Sequence, residues 1–171
     1  MVPARQISGP GLALLTAMEG LRLLPYRDSG GLWTVGVGHL VLPTESIPGL
    51  YYKQPSNLAG GISTGTAKLL LSSDLLKFES LISETVTVSL LQCEFDALTI
   101  FAFNVGESAF KTSALLKALN AVRSDKTAKD IAALHMLEWC HVSGVIVPAL
   151  QLRQLKTVAF FCGWQSPVKQ D

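Results

Sequence analysis

Charge is scarce in this chain. Only 16% of its 171 residues are Asp, Glu, Lys or Arg, and the net charge is +1. A protein held to nucleic acid by phosphate contacts normally carries a basic patch or stripe, so this balance argues against nucleic acid as a partner. It also gives no strong pull towards an anionic membrane. Cysteine is scarce too. Cys93, Cys140 and Cys162 are widely spaced and form no Cys-x-x-Cys pair, which reads as three thiols in a reducing compartment, buried as small apolar residues. His39, His135 and His141 supply no zinc spacing alongside them. No metal and no cofactor are expected. Long hydrophobic runs are missing as well. Glu19 and Arg22 cut short the apolar stretch Gly11–Met18, and no segment approaches the roughly 18 apolar residues of a membrane span. With no secretory signal, synthesis in the cytosol is expected.

What is present favours a folded core. Apolar residues make up 49% of the chain, enough for one compact domain over residues 1–171. Residues 1–10 read as a loose entry segment. Apolar residues then recur at helical spacing from about Gly11 to Leu23, with Pro25 just beyond as a boundary. Asp28-Ser29-Gly30-Gly31 is a turn signal, and Trp33, Val35 and Val37 alternate with Thr34, Gly36 and Gly38, as in a short hairpin or small sheet. Residues 41–62, with three prolines and three glycines, predict a long loop with little regular structure. Ser63 or Thr64 is placed to cap a helix reaching about Ser83. Further helices are expected near 90–105, 111–122, 127–138 and 148–162. The pattern is α+β, with a small sheet lobe over about 24–62 and a larger helical lobe over about 63–165 joined by the N-terminal helix.

Three polar residues in the first third carry the chemical interest. Glu19 lies near the end of the first helix among Leu15, Leu21 and Leu23, where partial burial would suit a carboxylic acid that must stay protonated. It suits an exposed helix carboxylate as well. Asp28 opens a turn, where Asp commonly caps its own backbone, and Thr34 fits a strand through β-propensity alone. Two carboxylates and a hydroxyl on different local structures are nevertheless the inventory that glycosidic cleavage needs. One acid protonates the leaving oxygen, and a second polar group handles water or the developing oxocarbenium ion.

The spacing of Glu19, Asp28 and Thr34, with Gly36-Val37-Gly38-His39 following, resembles the phage-type lysozymes, the endolysins of glycoside hydrolase family 24. The local match includes Glu19-Gly20, Tyr26-Arg27-Asp28 and Trp33-Thr34-Val35-Gly36. A second block runs through Phe95-Asp96-Ala97-Leu98 and Phe101-Ala102-Phe103-Asn104-Val105-Gly106, then Ser113-Ala114-Leu115-Leu116. A third joins Trp139, Gly144, Val147-Pro148 and Arg153. The likeness extends over about residues 8–162.

The resemblance implies a lysozyme-like fold with a substrate cleft between the sheet lobe and the helical lobe. It implies hydrolysis of the β-1,4 bond between N-acetylmuramic acid and N-acetylglucosamine in peptidoglycan glycan strands, and so bacterial lysis. Glu19 would be the general acid, Asp28 the carboxylate on the water side and Thr34 the hydroxyl that holds the water. An inverting course is expected, which needs the two carboxyls roughly 6.5–9.5 Å apart, whereas about 5 Å would favour a covalent intermediate. Tyr26, Leu40, Phe103 and Asn104 are candidate saccharide contacts. His39 is expected to make a structural hydrogen bond or ion pair, with Asp74 as the candidate partner, and Arg153 to support Glu19. The family often carries an acidic residue where Thr157 stands. A monomer is expected, depending on a membrane-hole-forming partner for release and acting in the periplasm or cell wall. Two other readings share these features, a lytic transglycosylase and a non-catalytic wall-binding module of the same shape.

Overall fold

The computed structural model describes residues 5–28, 30–54, 57–122 and 125–164. Of the turn signal Asp28-Ser29-Gly30-Gly31, Ser29 lies outside these, as do both ends of the chain. Two compact units form, one from residues 13–76 and the other from the residues before 13 and after 76. Helices α1 (Gly9–Glu19) and α2 (Thr64–Thr85) each contribute to both.

In the first unit α1 stops at Glu19, four residues before the periodicity suggests. Gly20 takes a left-handed φ of 80° and its N–H donates to the Thr16 carbonyl at 2.9 Å, a C-terminal cap that glycine adopts without steric cost. Leu23 and Leu24 therefore belong to strand β1 (Arg22–Arg27). Pro25 lies inside that strand instead of marking a boundary. A proline survives there because β1 is at the edge of the antiparallel sheet β1-β2-β3, where its register slips between Arg22 and Tyr26, and an edge strand has no second ladder to break. Strands β2 (Trp33–Gly36) and β3 (His39–Leu40) complete the sheet. Val35 points into a small core of Val41, Ile47, Leu58, Ile62 and Ala67.

The segment 41–62 is not the irregular loop its composition predicts. Strands β4 (Leu50–Gln54) and β5 (Asn57–Gly60) pair in it as a second hairpin. Its glycines bring two backbones together. Gly61 N–H donates to the Gly49 carbonyl at 2.9 Å, Gly49 and Gly60 have φ of 92° and 96°, and a Cβ on Gly60 would lie 2.0 Å from the Gly49 oxygen. Glycine here signals close approach rather than looseness. Ser63 caps α2 as anticipated, its Oγ accepting from Thr66 N–H at 3.0 Å.

The second unit is built round α3 (Gln92–Val105), in which nine consecutive residues, Glu94 to Ala102, are buried. A helix apolar on nearly all sides is the centre of a bundle and not its surface. It packs on α7 (Pro148–Phe161), and Phe101 meets Phe110 and Trp139 edge to face. The expected helix over 111–122 is two, α4 (Glu107–Thr112) and α5 (Ala114–Ala121). Ser113 makes the break, its Oγ accepting from Leu116 N–H at 3.1 Å and donating to the Phe110 carbonyl at 2.7 Å. The expected helix over 127–138 is α6 (Lys126–Ala133) followed by a 3₁₀ stretch, Leu134–Trp139. A short hairpin, β6 (His141–Val142) and β7 (Val145–Ile146), turns at Ser143 and Gly144 with φ of 51° and 80°, the two positive angles of a tight hairpin turn.

Two further expectations change. Residues 5–8 are anchored, not loose. Ser8 bonds the Asp96 carboxylate through its hydroxyl and through its N–H at 3.0 Å, while Ile7 N–H reaches Glu79 at 2.8 Å. Of the cysteines, only Cys140 is buried, and Cys93 and Cys162 are half-exposed.

Candidate active site

Glu19 is the last residue of α1 and half-buried. Gly20 then turns the chain directly into β1, so one strand connects Glu19 to Asp28. Asp28 both builds its turn and leaves an oxygen over. Its Oδ1 accepts from Gly30 N–H at 2.9 Å and Leu32 N–H at 2.8 Å, and its backbone closes the turn with Gly31 and Leu32. Oδ2 makes no hydrogen bond to another described residue. The turn role and a chemical role, which the sequence left as alternatives, thus use different atoms. Arg27 stiffens the same turn, donating to the Gly31 carbonyl at 2.6 Å and lying 4.4 Å from the centre of the Trp33 ring.

Thr34 is in β2, only 4% exposed, and its hydroxyl donates weakly to the Leu32 carbonyl at 3.3 Å. In the sheet it is paired with Tyr26 on one side and Leu40 on the other. Directly opposed residues in antiparallel strands point to the same face. Three residues picked from separate places in the sequence therefore form one row. Tyr26 is half-buried, with the Arg22 guanidinium 4.4 Å from its ring centre, and Leu40 is 43% exposed. Beside the row is a concavity of ≈ 350 Å³ walled by Arg27, Trp33, Leu40, Leu42, Pro43 and Tyr52. Leu42 and Tyr52 were not singled out in the sequence. The loop-like composition of 41–62 concealed them.

His39 takes the opposite face from Thr34. Its Nδ1 meets Asp74 Oδ2 at 2.8 Å and its Nε2 meets Glu45 at 3.1 Å. The hydrogen bond to Asp74 is the main cause of an imidazole pKa raised above 6.5, opposed by burial and assisted by Glu45. Glu45 in turn accepts from Leu42 N–H at 3.3 Å, so the histidine ties the start of 41–49 to α2. The Asp74 contact was expected. Glu45 had no signal in the sequence beyond its charge.

The other candidates belong to the second unit. Phe103 and Asn104 are in the last turn of α3, half-buried. Phe103 packs edge to face on Phe78, ring centres 5.6 Å apart. The Asn104 side-chain nitrogen is buried and has no hydrogen-bond partner among the described residues, an uncommon state for a buried donor. Arg153 is half-buried on α7. One turn on, Thr157 is fully buried and its hydroxyl folds back to the Arg153 carbonyl at 3.0 Å. Where the family often has an acid, this chain has a neutral group satisfied by its own helix. Among the described residues no group of three or more His, Cys, Asp or Glu could hold a metal ion, and no helix is long and apolar enough to cross a membrane.

A small antiparallel sheet that carries Asp28 and Thr34, accompanied by a helical unit centred on one buried helix, defines the lysozyme-like α+β class. Solved structures agree. The lysozyme of phage P22, in a single-substitution variant, matches with a TM-score of 0.75 and 32% identity over 92% of this chain and 98% of its own. The family model described as phage lysozyme matches residues 16–156. The endolysin of Salmonella phage P22 is 40% identical over 117 residues, covering 67% of this chain and 73% of that protein. The endolysin of Acyrthosiphon pisum secondary endosymbiont phage 1 is 36% identical over 114 residues, 67% and 69% of the two. The chain belongs to the phage lysozyme family, and it is a peptidoglycan hydrolase, a muramidase.

Proposed function

We propose that the chain cleaves the β-1,4 bond between N-acetylmuramic acid and N-acetylglucosamine, with Glu19 as general acid and Asp28 and Thr34 on the side of the attacking water. The observation that carries this reading is the row Tyr26–Thr34–Leu40 in the sheet, entered through the turn that Asp28 holds with one oxygen only. A protonated Glu19 would give its proton to the glycosidic oxygen as the bond breaks. The ionised Asp28, through Oδ2, would take a proton from water or stabilise the positive charge on the sugar, while the Thr34 hydroxyl positions that water. The course is inverting in this reading. Tyr26 and Leu40 supply apolar contact to sugar faces, Phe103 adds another, and the Asn104 side-chain nitrogen, which lacks a partner among the described residues, is a donor suited to a saccharide carbonyl or hydroxyl. Arg153 supports the acid. The protein works as a monomer, is made in the host cytoplasm and reaches the wall through a membrane opened by another protein, ending in lysis.

The test is clearing of purified peptidoglycan by the wild type and by Glu19→Gln. General acid–base groups contribute about 10²–10⁴-fold, so the variant is expected to lose at least a hundredfold while remaining folded by circular dichroism. Equal clearing by both would remove Glu19 from the mechanism. Mass spectrometry of the released muropeptides decides the reaction type. Reducing ends carrying added water fit hydrolysis, and 1,6-anhydro ends would establish a lytic transglycosylase instead.

A further inference from the structure

Cys93 and Cys162 are far apart in the sequence and close in the fold. Cys93 is the second residue of α3, and its thiol donates to the Phe161 carbonyl at 3.6 Å. Phe161 is bonded to Cys162, which caps the end of α7. The Cys93 sulfur is therefore one peptide unit from the second cysteine's backbone, on two helices that pack together. Both side chains are partly accessible, unlike Cys140. Cys162 is followed by Gly163 with a φ of 79°, where the chain has left the helix.

We propose that Cys93 and Cys162 are a disulfide-forming pair, closing an intramolecular bond between the start of α3 and the end of α7 when the protein meets an oxidising thiol–disulfide couple. A disulfide needs Cα atoms about 4.4–6.8 Å apart, and the Cys93 sulfur, 3.6 Å from the Phe161 carbonyl oxygen, lies next to the backbone that carries Cys162. Burial first, then Asp130, hold the Cys162 thiol's pKa above the usual value. Cys93 is the attacking thiol of the first step. Its thiolate attacks one sulfur of a small disulfide such as oxidised glutathione, forming a mixed disulfide and releasing one glutathione thiolate. Cys162 then gives its proton to solvent and attacks the Cys93 sulfur, releasing the second glutathione. The protein loses two electrons and the reagent gains them. The bond closes a long loop, so it constrains the unfolded chain more than the folded one. In a reducing cytoplasm the pair stays open, and in an oxidising compartment it closes.

The experiment is incubation of the purified full chain with oxidised glutathione, followed by thiol titration in denaturant, peptide mapping and thermal unfolding. The expected result is a fall from the three thiols of the sequence to the single thiol of Cys140. A linked peptide should join Cys93 to Cys162, and the melting temperature should rise by several degrees and return with reductant. Cys93→Ser and Cys162→Ser should each abolish the link and the rise. Retention of all three thiols, glutathione adducts that never close, a bond to Cys140 or a bond between chains would each overturn the proposal. A closed bond with no thermal shift would overturn its stabilising role. No arm depends on glycan cleavage, so the outcome is independent of the function proposed above.

Discussion

Asp28 in the sheet unit and Glu94 in the helical unit are both carboxylates next to a backbone cap, and they are used in opposite ways. Glu94 is fully buried, with one oxygen hydrogen-bonded and the other facing only a more distant cation. Its Oε2 accepts from Leu91 N–H at 2.8 Å and from Lys129 Nζ at 2.7 Å, and Lys126 stands 3.8 Å from Oε1. Lys129 is itself 5% exposed and also donates to the Ser89 carbonyl. Such a carboxylate can hold α6 to the start of α3 and do little else. Asp28 commits one oxygen to two backbone N–H groups and keeps the other for solvent or ligand. The lesson is that full burial against a buried lysine marks a structural charge, whereas a partly exposed carboxylate on a stiff turn is available for chemistry.

The sharpest way to break this comparison is to remove Lys129. Lys129→Met leaves Glu94 buried with only the more distant Lys126, and losing one partner of a buried pair costs about 3–5 kcal/mol. The urea midpoint should fall accordingly, while clearing of peptidoglycan per folded molecule stays near wild type at low temperature. Replacing Glu94 by Gln in the same chain should restore most of the loss. Full stability in Lys129→Met alone would show that Glu94 is not held as the geometry indicates.

Asp28 should behave the other way round. Asp28→Asn keeps the Oδ1 acceptor, so the turn survives and the melting temperature should move little, yet activity should drop about a hundredfold or more because the charge is gone. Asp28→Ala loses the turn bonds as well and should cost stability in addition, about 1 kcal/mol for a lost local cap. Equal activity in wild type and Asp28→Asn would reduce Asp28 to a turn residue.

His39 lies between the two cases, since its contacts are structural and its charge depends on pH. The folded-state pKa is raised above 6.5, mainly by the hydrogen bond to Asp74. The stabilisation this represents is fully present below the unfolded value and is lost as pH rises through the folded one. The gap in unfolding free energy between wild type and His39→Asn should therefore be widest below pH 6.5 and narrow as the pH rises above it. A gap that does not change with pH would mean that the imidazole is neutral in its contacts with Asp74 and Glu45.

Much of this was legible before the structure. The α+β pattern, a cap at Ser63 or Thr64, the turn at Asp28 and a helix near 90–105 all follow from local rules, because each depends on side chains acting on their own backbone. Pro25 and the glycines of 49–61 misled for a common reason. Pro and Gly are read as breakers when their neighbours are unknown, and here the neighbours are an edge strand and a second backbone at close range. Ser113 and the 3₁₀ stretch after Ala133 divided helices whose apolar periodicity runs on without interruption. The missed residues of the sheet unit, Glu45, Leu42 and Tyr52, come from a segment with no periodic signal at all.

The sequence by itself determined which residues are worth asking about. Glu19, Asp28 and Thr34 stand out through their spacing and the family likeness, because chemistry is limited by residue type and order. The tertiary structure decided which atoms are free to act. Only strand pairing sets Thr34 between Tyr26 and Leu40, since register is a property of two chain segments and not of one. Only the turn geometry separates the two oxygens of Asp28. Only helix packing brings Cys93 to the end of α7 and buries Glu94 against Lys129, because distance along the chain says little about distance in space once a core has formed.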